Sequence, residues 1–319
     1  MKYEPKPKFL EHMKKLLDNK EDLQKYLEVI KTKQKKSIRV NTLKIDPETL
    51  KKTLQTRGWD ISQPCDSYPE IIRIESNLEP GEIGKTKEHL LGYYYSQEIT
   101  SMMPILALNP QPNDILFDCC AAPGSKTTQA AAIMENKGTI IANDVTIGRI
   151  IILSSNLERC GVTNTMITRH DAIALSNRLQ KVNMLFDKIL VDAPCSGEGN
   201  IRVSPRTLLE WSEGLIKGLS KKQKKIAQAA LNLLKPGGEM IYSTCTHAPE
   251  ENESVVQHLL DNNKDLEIIK VDLPIKSRPG LTQWNKEKFS NKLRLAHRIY
   301  PHDNDMEGFF LCKLRKKEN

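Results

Sequence analysis

The sequence has no Cys-x-x-Cys pair, although it contains seven cysteines. Cysteine pairs at that spacing are the usual signature of a structural zinc site, and an odd number of cysteines does not fit the disulfide framework of a small secreted domain. The adjacent Cys119 and Cys120 would point to opposite faces of a strand, which makes them unsuited to bind one metal together. We therefore predict that the protein has no metal site and that its thiols are reduced, as in the cytosol.

Long apolar runs are absent too. No segment approaches the roughly 18 apolar residues that a membrane-spanning helix needs, and residues 1–8 hold no apolar stretch typical of a secretory signal. These absences predict a cytoplasmic protein that does not bind membranes. The 319 residues, 39% of them hydrophobic, are enough for one large domain and a smaller one.

The net charge of +8 is concentrated at one end of the chain. Residues 1–58 contain 16 Lys and Arg against 8 Asp and Glu, whereas residues 59–319 contain 32 of each. A local basic surface is typical of proteins that bind a polyanion, most often nucleic acid. A solvated, lysine-rich helix surface explains the charge equally well when the charge is considered alone.

The first part of the chain has the pattern of a small α+β unit. The spacing of apolar residues predicts amphipathic helices over residues 6–18 and 21–34. A strand at 37–43, a helix at 47–57 that begins with Asp46 as cap and Pro47, and a strand at 71–74 are predicted next. We predict a basic α+β RNA-binding module at residues 1–85 and a catalytic domain at residues 86–319.

From residue 114 onward the predicted strands and helices alternate. Strands are predicted at 115–119, 138–142, 165–168, 186–191, 239–242, 266–271 and 309–314, and helices at 127–134, 147–159, 220–234 and 250–262. This alternation predicts an α/β fold with a doubly wound, mainly parallel sheet. In such a sheet, ligands bind at the carboxyl ends of the strands.

A candidate cofactor site follows the first of these strands. The segment from Ile115 to Gln129 reads as strand, small-residue loop and helix, but it contains neither Gly-x-Gly-x-x-Gly nor the Walker phosphate loop. Carboxylates instead follow three successive strands, at Asp144, Asp171 and Asp192. Each of these residues taken alone is more often a helix cap or a turn former. Together they favour S-adenosylmethionine over NAD, because a sulfonium is attracted to an acidic pocket.

Two cysteines also follow buried strands. Cys195 lies in Asp192-Ala-Pro-Cys-Ser-Gly-Glu-Gly199 and Cys245 in Tyr242-Ser-Thr-Cys-Thr246. A single cysteine at a strand end is more often a small core residue. The tight loop around Cys195 and the polar residues before Cys245 are poor core filler, and a pair of thiols at the crevice indicates covalent chemistry on an electrophilic carbon.

These segments resemble the Nol/Nop/Sun family of RNA cytosine-5 methyltransferases, and most of all its archaeal tRNA members. The resemblance covers residues from about 37 onward and is carried by Arg39-Val-Asn-Thr-Leu43, Tyr95-Ser-Gln-Glu98, Asp118-Cys-Cys-Ala-Ala-Pro-Gly-Ser-Lys-Thr127, Asn143-Asp144, Asp171, the two cysteine motifs, Arg298-Ile-Tyr-Pro-His302 and Gly308-Phe-Phe310. It implies a Rossmann-like class I methyltransferase fold with a seven-stranded sheet.

The resemblance also implies the cofactor and the roles of individual residues. The cofactor is S-adenosyl-L-methionine, and its implied ligands are Cys120, Ala121, Ala122, Pro123, Gly124, Ser125, Lys126, Asp144, Arg149, Asp171 and Asp192. Cys245 is the implied nucleophile, Cys195 acts in product release, and Asp192 and Lys126 complete the catalytic set. Arg149 is equally compatible with an exposed helix position.

Several alternatives stay open at this point. Spacing alone does not say which thiol attacks, because the DNA cytosine enzymes use the cysteine of the Pro-Cys motif, here Cys195. Asp192 would meet nitrogen 3 of the base either protonated or bridged. The expected substrate is tRNA, with rRNA as the alternative, and residues 31–36 with Arg39 and Lys44 are expected to contact its backbone. A catalytically idle RNA-binding scaffold is the competing function, and we expect a monomer.

Overall fold

A computed structural model describes residues 3–318 of the chain. Its first part contains a four-stranded antiparallel sheet with strand order β2-β3-β1-β4. The elements are α1 (Pro7–Leu16), α2 (Lys20–Val29), β1 (Ser37–Val40), α3 (Pro47–Thr56), β2 (Ile61–Ser62), β3 (Ile71–Ile74), α4 (Glu82–Lys85), α5 (Lys87–Leu90) and β4 (Tyr94–Ser96). Because β4 lies beyond residue 85 and pairs with β1, the small sheet extends past the predicted division at residues 85 and 86, which itself stays a prediction.

The second part is a layered α/β structure. Its elements are α6 (Ile99–Leu108), β5 (Ile115–Asp118), α7 (Ser125–Ile133), β6 (Thr139–Asp144), α8 (Ile147–Cys160), β7 (Thr165–Arg169), α9 (Ala172–Lys181), β8 (Phe186–Asp192), α10 (Thr207–Glu210), α11 (Glu213–Leu231), β9 (Leu234–Thr244), α12 (Glu253–Asn262), β10 (Leu266–Ile269), β11 (Arg278–Pro279), β12 (Gln283–Trp284), β13 (Glu287–Lys288), β14 (His297–Ile299), α13 (Pro301–Asn304) and β15 (Phe309–Lys316).

The large sheet confirms the predicted doubly wound architecture. Its order is β11-β14-β15-β9-β8-β5-β6-β7, and β10 pairs with the far end of β15. The run from β7 to β9 is parallel, whereas β15 is antiparallel to β9. Within residues 3–318 the sheet has nine strands rather than seven, because the short β11 and β14 extend the seven predicted ones. The strand order reverses beside β5, which opens the crevice where such sheets bind ligands.

Helices α1 and α2 pack on the layered α/β part of the chain rather than on the small sheet. Phe9, Met13 and Tyr26 are completely buried in the hydrophobic core that also holds Trp211 and Phe310. The small sheet has a separate core of its own, built around Leu50, Leu54 and Tyr94. The predicted first module therefore consists of two parts with different packing partners.

The ten-residue helices α6 and α9 were not among the predicted elements, and neither were the four-residue helices α4, α5, α10 and α13. Helix α6 is buried over most of its length and contains Pro104, so it lacks the polar face that reveals an amphipathic helix. Helix α9 has Asp171 as its cap and buries Ala172 and Leu175 on one side. Within residues 3–318, no helix combines the length and the apolar character needed to cross a membrane.

Candidate active site

A cavity of about 500 Å³ lies at the carboxyl ends of the parallel strands. Every predicted site residue except Gly124 lines it, which brings together the two cysteines, the three aspartates, Arg149 and the loop from Cys120 to Lys126. Further lining residues that were not predicted are Ser101, Asp118, Cys119, Asn143, Val145, His170, Ala172, Ala193, Pro194, Asn200, Lys222, Ile226, Glu307 and Phe309.

Gly124 does not line the cavity, but its conformation shapes the cofactor loop. It is the cap of α7 with φ of +104°, a left-handed conformation that side chains rarely adopt. A Cβ at this position would also lie 2.9 Å from Leu153 Cδ1 of the neighbouring helix α8. Glycine therefore allows α7 to begin close against α8, with its first turn facing the cavity.

Arg149 links the two parts of the candidate cofactor site. Its guanidinium donates to the carbonyl of Ala122, and Nη1 lies 3.2 Å from Oδ2 of Asp144. Asp144 is 3% exposed, and its Oδ2 has no hydrogen-bond partner among the described residues. A buried carboxylate oxygen of this kind is a ready acceptor for a ligand hydroxyl. Arg149 is thus engaged at the site even though half of its side chain is exposed.

The other two predicted carboxylates have different surroundings. Asp171 is exposed, and its Oδ1 accepts hydrogen bonds from Ile173 N and Ala174 N, so it caps α9 while it lines the cavity. Asp192 accepts at both oxygens, from Ser243 Oγ at 2.8 Å and from Lys126 Nζ at 2.7 Å. Both oxygens of Asp192 thus have neighbouring donors, and how it meets the base stays a prediction.

Asp118 is a carboxylate of the site that begins the motif Asp118–Thr127 but was not among the predicted site residues. Thr127 donates to its Oδ2, whereas Oδ1 is buried and has no hydrogen-bond partner among residues 3–318. Burial raises the pKa of Asp118 to about 7, with a further contribution from the charge of Asp192. Its position as the last residue of β5, the same as that of Asp192 in β8, is the signal that identifies it.

The two predicted catalytic thiols are in contact. Cys195 Sγ lies 3.2 Å from Cys245 Sγ, at the ends of the neighbouring strands β8 and β9. The contact with Cys245 and burial raise the pKa of Cys195 well above its usual range. Ser196 Oγ and Thr246 Oγ1 are 2.8 Å apart, and the carbonyl of Cys245 accepts a hydrogen bond from Gly199 N. The two cysteine loops are therefore held together by their neighbours as well as by the thiols.

Lys126 connects the cofactor loop to other residues that line the cavity. Besides Asp192, its ammonium reaches Ser101 Oγ at 2.8 Å and lies 5.5 Å from the centre of the Phe309 ring. The side chain is 6% exposed. Lys126 lines the same cavity as the thiols and is paired with Asp192, and its role in activating a thiol stays a prediction.

Arg39 and Lys44 differ in whether their charged groups are accessible for the expected RNA contacts. Arg39 is 3% exposed and donates to Gln97 Oε1, to the carbonyl of Ser125 and to Thr128 Oγ1. Lys44 Nζ donates to the carbonyls of Leu91 and Arg159. The expected RNA contact is wrong for the buried Arg39, which joins the small sheet to α7, whereas Lys44 is exposed and its RNA contact stays a prediction.

Comparison with known proteins places this geometry in a family. The family described as "16S rRNA methyltransferase RsmB/F" matches residues 105–315, and the "N-terminal domain of 16S rRNA methyltransferase RsmF" matches residues 6–99. The ribosomal RNA small subunit methyltransferase F of Aliivibrio fischeri is 38% identical over 98% of this chain, which spans 64% of that relative's length. The tRNA (cytosine(49)-C(5))-methyltransferase of Pyrococcus abyssi is 40% identical over 88% of both chains.

Solved structures give the same result. A methyltransferase homologue from Pyrococcus horikoshii has a TM-score of 0.82 and 35% identity, and the match covers 94% of this chain and 92% of that one. NSun6 from Pyrococcus horikoshii, solved with SFG, has a TM-score of 0.84 and 26% identity over 98% of this chain and 99% of its own. The chain therefore belongs to the RsmB/F (Nol/Nop/Sun) family of RNA methyltransferases, as the sequence motifs predicted.

Proposed function

We propose that this protein transfers a methyl group from S-adenosylmethionine to carbon 5 of a cytidine in RNA, with Cys245 as the nucleophile. The observation that carries the proposal is the contact of two thiols, 3.2 Å apart, beside the Lys126–Asp192 pair in a cavity lined by acidic strand ends. Methylation of an exocyclic nitrogen has no need of a thiol, whereas carbon 5 of cytosine is too weakly nucleophilic to react without covalent activation.

The acidic end of the cavity fits S-adenosylmethionine. Asp118 Oδ1 and Asp144 Oδ2 are buried acceptors that receive no hydrogen bond within residues 3–318, although Arg149 forms an ion pair with Asp144. The loop from Cys120 to Lys126 provides backbone groups at the start of α7. Arg149 and Asp171 complete the predicted set. SFG, bound in the structural relative from Pyrococcus horikoshii, is an analogue of this cofactor. When bound, S-adenosylmethionine supplies the methyl group, and its sulfonium is attracted by the carboxylates.

The chain's own residues activate the base. Cys245 adds as the thiolate to carbon 6 of the pyrimidine, which places electron density on carbon 5 and on the nitrogen 3 side of the ring. The thiolate is the reactive form of a cysteine, so a positive charge favours the addition, and Lys126, which lines the same cavity, is the residue that we propose for this role. After methylation a base must remove the carbon 5 proton so that Cys245 can leave as the thiolate. The contact with Cys245 and burial raise the pKa of Cys195, so we propose that it positions a water that takes the proton, with direct removal by its own thiolate as the alternative.

A tRNA is the substrate that we propose. The relative from Pyrococcus abyssi named for tRNA cytosine 49 matches this chain over 88% of both lengths, whereas the rRNA methyltransferase of Aliivibrio fischeri extends well beyond the match. rRNA is the second candidate, because both family descriptions name the 16S rRNA enzymes. A cytidine in a loop or junction suits either case, since its unstacking costs only a few kcal/mol.

The decisive experiment measures tritiated methyl transfer from S-adenosylmethionine to unmodified tRNA, to 16S rRNA and to DNA, followed by nucleoside analysis. We expect 5-methylcytidine in tRNA and none with the Cys245→Ala variant. Product in 16S rRNA alone would replace the substrate that we propose. A methylated exocyclic nitrogen, or tight RNA binding without transfer to any RNA, would reject the proposed chemistry, and the latter would favour the idle scaffold. The cytoplasmic location, the monomeric state and the lack of a metal stay predictions.

A further inference from the structure

Glu307 is an unassigned carboxylate at the thiols' end of the cavity. Five carboxylates line the cavity: Asp118, Asp144, Asp171, Asp192 and Glu307. The four aspartates each hydrogen bond to a neighbouring side chain or backbone amide. Within residues 3–318, the carboxyl group of Glu307 alone among the five has no hydrogen bond or ion pair, and it is free to meet a ligand.

The backbone holds Glu307 close to the nucleophile. Gly308 N donates to the carbonyl of Gly199 at 3.0 Å, and Gly199 N donates to the carbonyl of Cys245 at 2.9 Å. The close approach requires both glycines, because a Cβ on Gly199 would lie 2.1 Å from Gly308 O. Glu307 N itself donates to Glu98 Oε1 at 3.1 Å. The residue is therefore fixed at the same end of the cavity as Cys245, beside Phe309.

The surroundings of Glu307 favour its neutral form. Burial raises its pKa to about 8, and the neighbouring Glu98 adds to this effect, while the positive charges of Lys36, Lys126 and Arg202 oppose it. Burial raises the pKa of Glu98 as well. Glu98 accepts hydrogen bonds from Gln34, Glu307 N, Thr100 N, Thr100 Oγ1 and Ser101 N. Five donors around one carboxylate stabilise its charged form, so the proton of the pair resides on Glu307.

We propose that Glu307, as a neutral carboxylic acid, donates a hydrogen bond to the O2 and N3 edge of the target cytosine while Cys245 adds to carbon 6. Electron density grows at this edge during the addition, and a positioned donor stabilises it. Asp192 is less suited to donate, because both of its oxygens already accept from Lys126 and Ser243. Glu307 keeps its proton throughout. This inference rests on the proposed function and adds a catalytic residue to it.

The pH dependence of single-turnover methylation tests this role, with saturating protein and an unmodified tRNA transcript. Wild-type rates should fall as the pH rises above about 8, because the ionised carboxylate no longer donates. Glu307→Gln retains an N–H donor at every pH, so we expect at least a third of the wild-type rate at pH 7 and no alkaline decline. Glu307→Ala should reduce the rate about 100-fold at pH 7, as expected when one such donor is lost.

Two further measurements separate this role from a structural one. For both variants, the midpoint temperature of thermal unfolding should be within a few degrees of wild type. The dissociation constant for the same tRNA should be within threefold of wild type. Three results would overturn the inference: an alkaline decline that persists in Glu307→Gln, a wild-type rate for Glu307→Ala, or a loss of activity that lies entirely in tRNA affinity. In each case, methyl transfer by the wild-type protein would still support the proposed function. A wild-type protein that methylates no RNA overturns both.

Discussion

At the scale of single residues, the contact between Cys195 and Cys245 determines which variant traps the reaction. Removing the thiol that attacks prevents the covalent bond to the base from forming. Removing the thiol that acts later leaves that bond in place. Because the two sulfurs are only 3.2 Å apart, a base bonded to one of them would lie close to the other. The two assignments therefore give opposite results in one experiment.

We predict that Cys195→Ala accumulates a covalent protein–RNA adduct, whereas Cys245→Ala forms none and transfers no methyl group. Denaturing gel electrophoresis after incubation with S-adenosylmethionine and tRNA measures the adduct. The buried Cys312→Ala variant is a suitable control, because this thiol lies in the core away from the cavity. An adduct that appears only with Cys245→Ala would assign the attack to Cys195.

Gly199 gives a second prediction at this scale. Its Cβ in a Gly199→Ala variant would lie 2.1 Å from Gly308 O, so the cysteine loop and the start of β15 must separate. We expect a loss of roughly 1–3 kcal/mol in the free energy of unfolding, as for other overpacked sites, together with a large loss of methyl transfer. Chemical denaturation measures the first effect.

The matched control is Gly218→Ala. Gly218 is exposed in the middle of α11, and a Cβ there meets nothing within 4 Å. The change should raise the free energy of unfolding by about 0.5–1 kcal/mol, because alanine favours a helix interior. Equal stability and activity of Gly199→Ala and wild type would show that the glycine contact is not required.

Sequence reasoning could predict part of the candidate site. Asp144 and Asp192 follow strands that are easy to recognise, so their convergence follows from the rule for parallel sheets. Asp118 obeys the same rule, so it too could have been predicted from the sequence. Ser101 and Glu307 could not be predicted in this way. Ser101 lies on a helix without a polar face, and Glu307 reaches the cavity only because β15 returns antiparallel beside β9.

At the scale of elements, the predicted strands are confirmed more closely than the helices. All seven predicted strands are present in the large sheet, because each is a short apolar run bounded by turn residues. The predicted helix at 220–234 instead begins at Glu213, after Ser212 as cap, and it ends at Leu231. Helix α9 carries a readable signal in Asp171 and the spacing of Ala172, Leu175 and Leu179, whereas α6 carries none.

The link between β1 and α7 supports a prediction about Arg39. Its guanidinium satisfies Gln97, Ser125 and Thr128 at once, a geometry that the single ammonium of lysine does not reproduce. We expect Arg39→Lys to lower the free energy of unfolding by roughly 2 kcal/mol, since buried acceptors lose their donors. Affinity for S-adenosylmethionine should fall too, because Ser125 begins the helix at the cofactor loop.

Arg73→Lys is the control for this prediction. Arg73 lies on the same small sheet and contacts Glu75 at a partly exposed position, where such a pair contributes less than about 1 kcal/mol. Denaturant unfolding and calorimetric titration with S-adenosylmethionine compare the two variants. If both changes have the same small effect, the small sheet does not depend on Arg39 for its attachment.

At the scale of the whole molecule, the excess positive charge reaches the rim of the cavity. Lys31, Lys33 and Lys36 are exposed, and the segment that carries them is held by Arg202, which donates to Thr32 Oγ1 and to the carbonyl of Lys33. Gln34 of the same segment donates to Glu98, the neighbour of Glu307. The basic segment is thus connected to the cavity-lining Glu307 through Gln34 and Glu98.

We predict that replacing Lys31, Lys33 and Lys36 by Glu weakens tRNA binding by about tenfold or more at moderate salt and flattens its salt dependence, because each lost phosphate contact lowers the slope by about one. Filter binding at several salt concentrations measures this. The same replacement at Lys264, Lys286 and Lys288, which are exposed and do not line the cavity, is the control. Equal losses in both triple variants would attribute the effect to net charge alone.

The packing of α1 and α2 has a consequence for how the chain matures on the ribosome. Asp22 on α2 lies 2.8 Å from His302 Nε2 and also accepts from Arg278, so its partners are synthesised up to 280 residues later. At about 5–20 residues per second, the apolar faces of Phe9, Met13 and Tyr26 wait roughly 14–56 s for the surface that covers them. Chaperones that shield nascent helices should therefore increase the yield of this protein more than its final stability suggests.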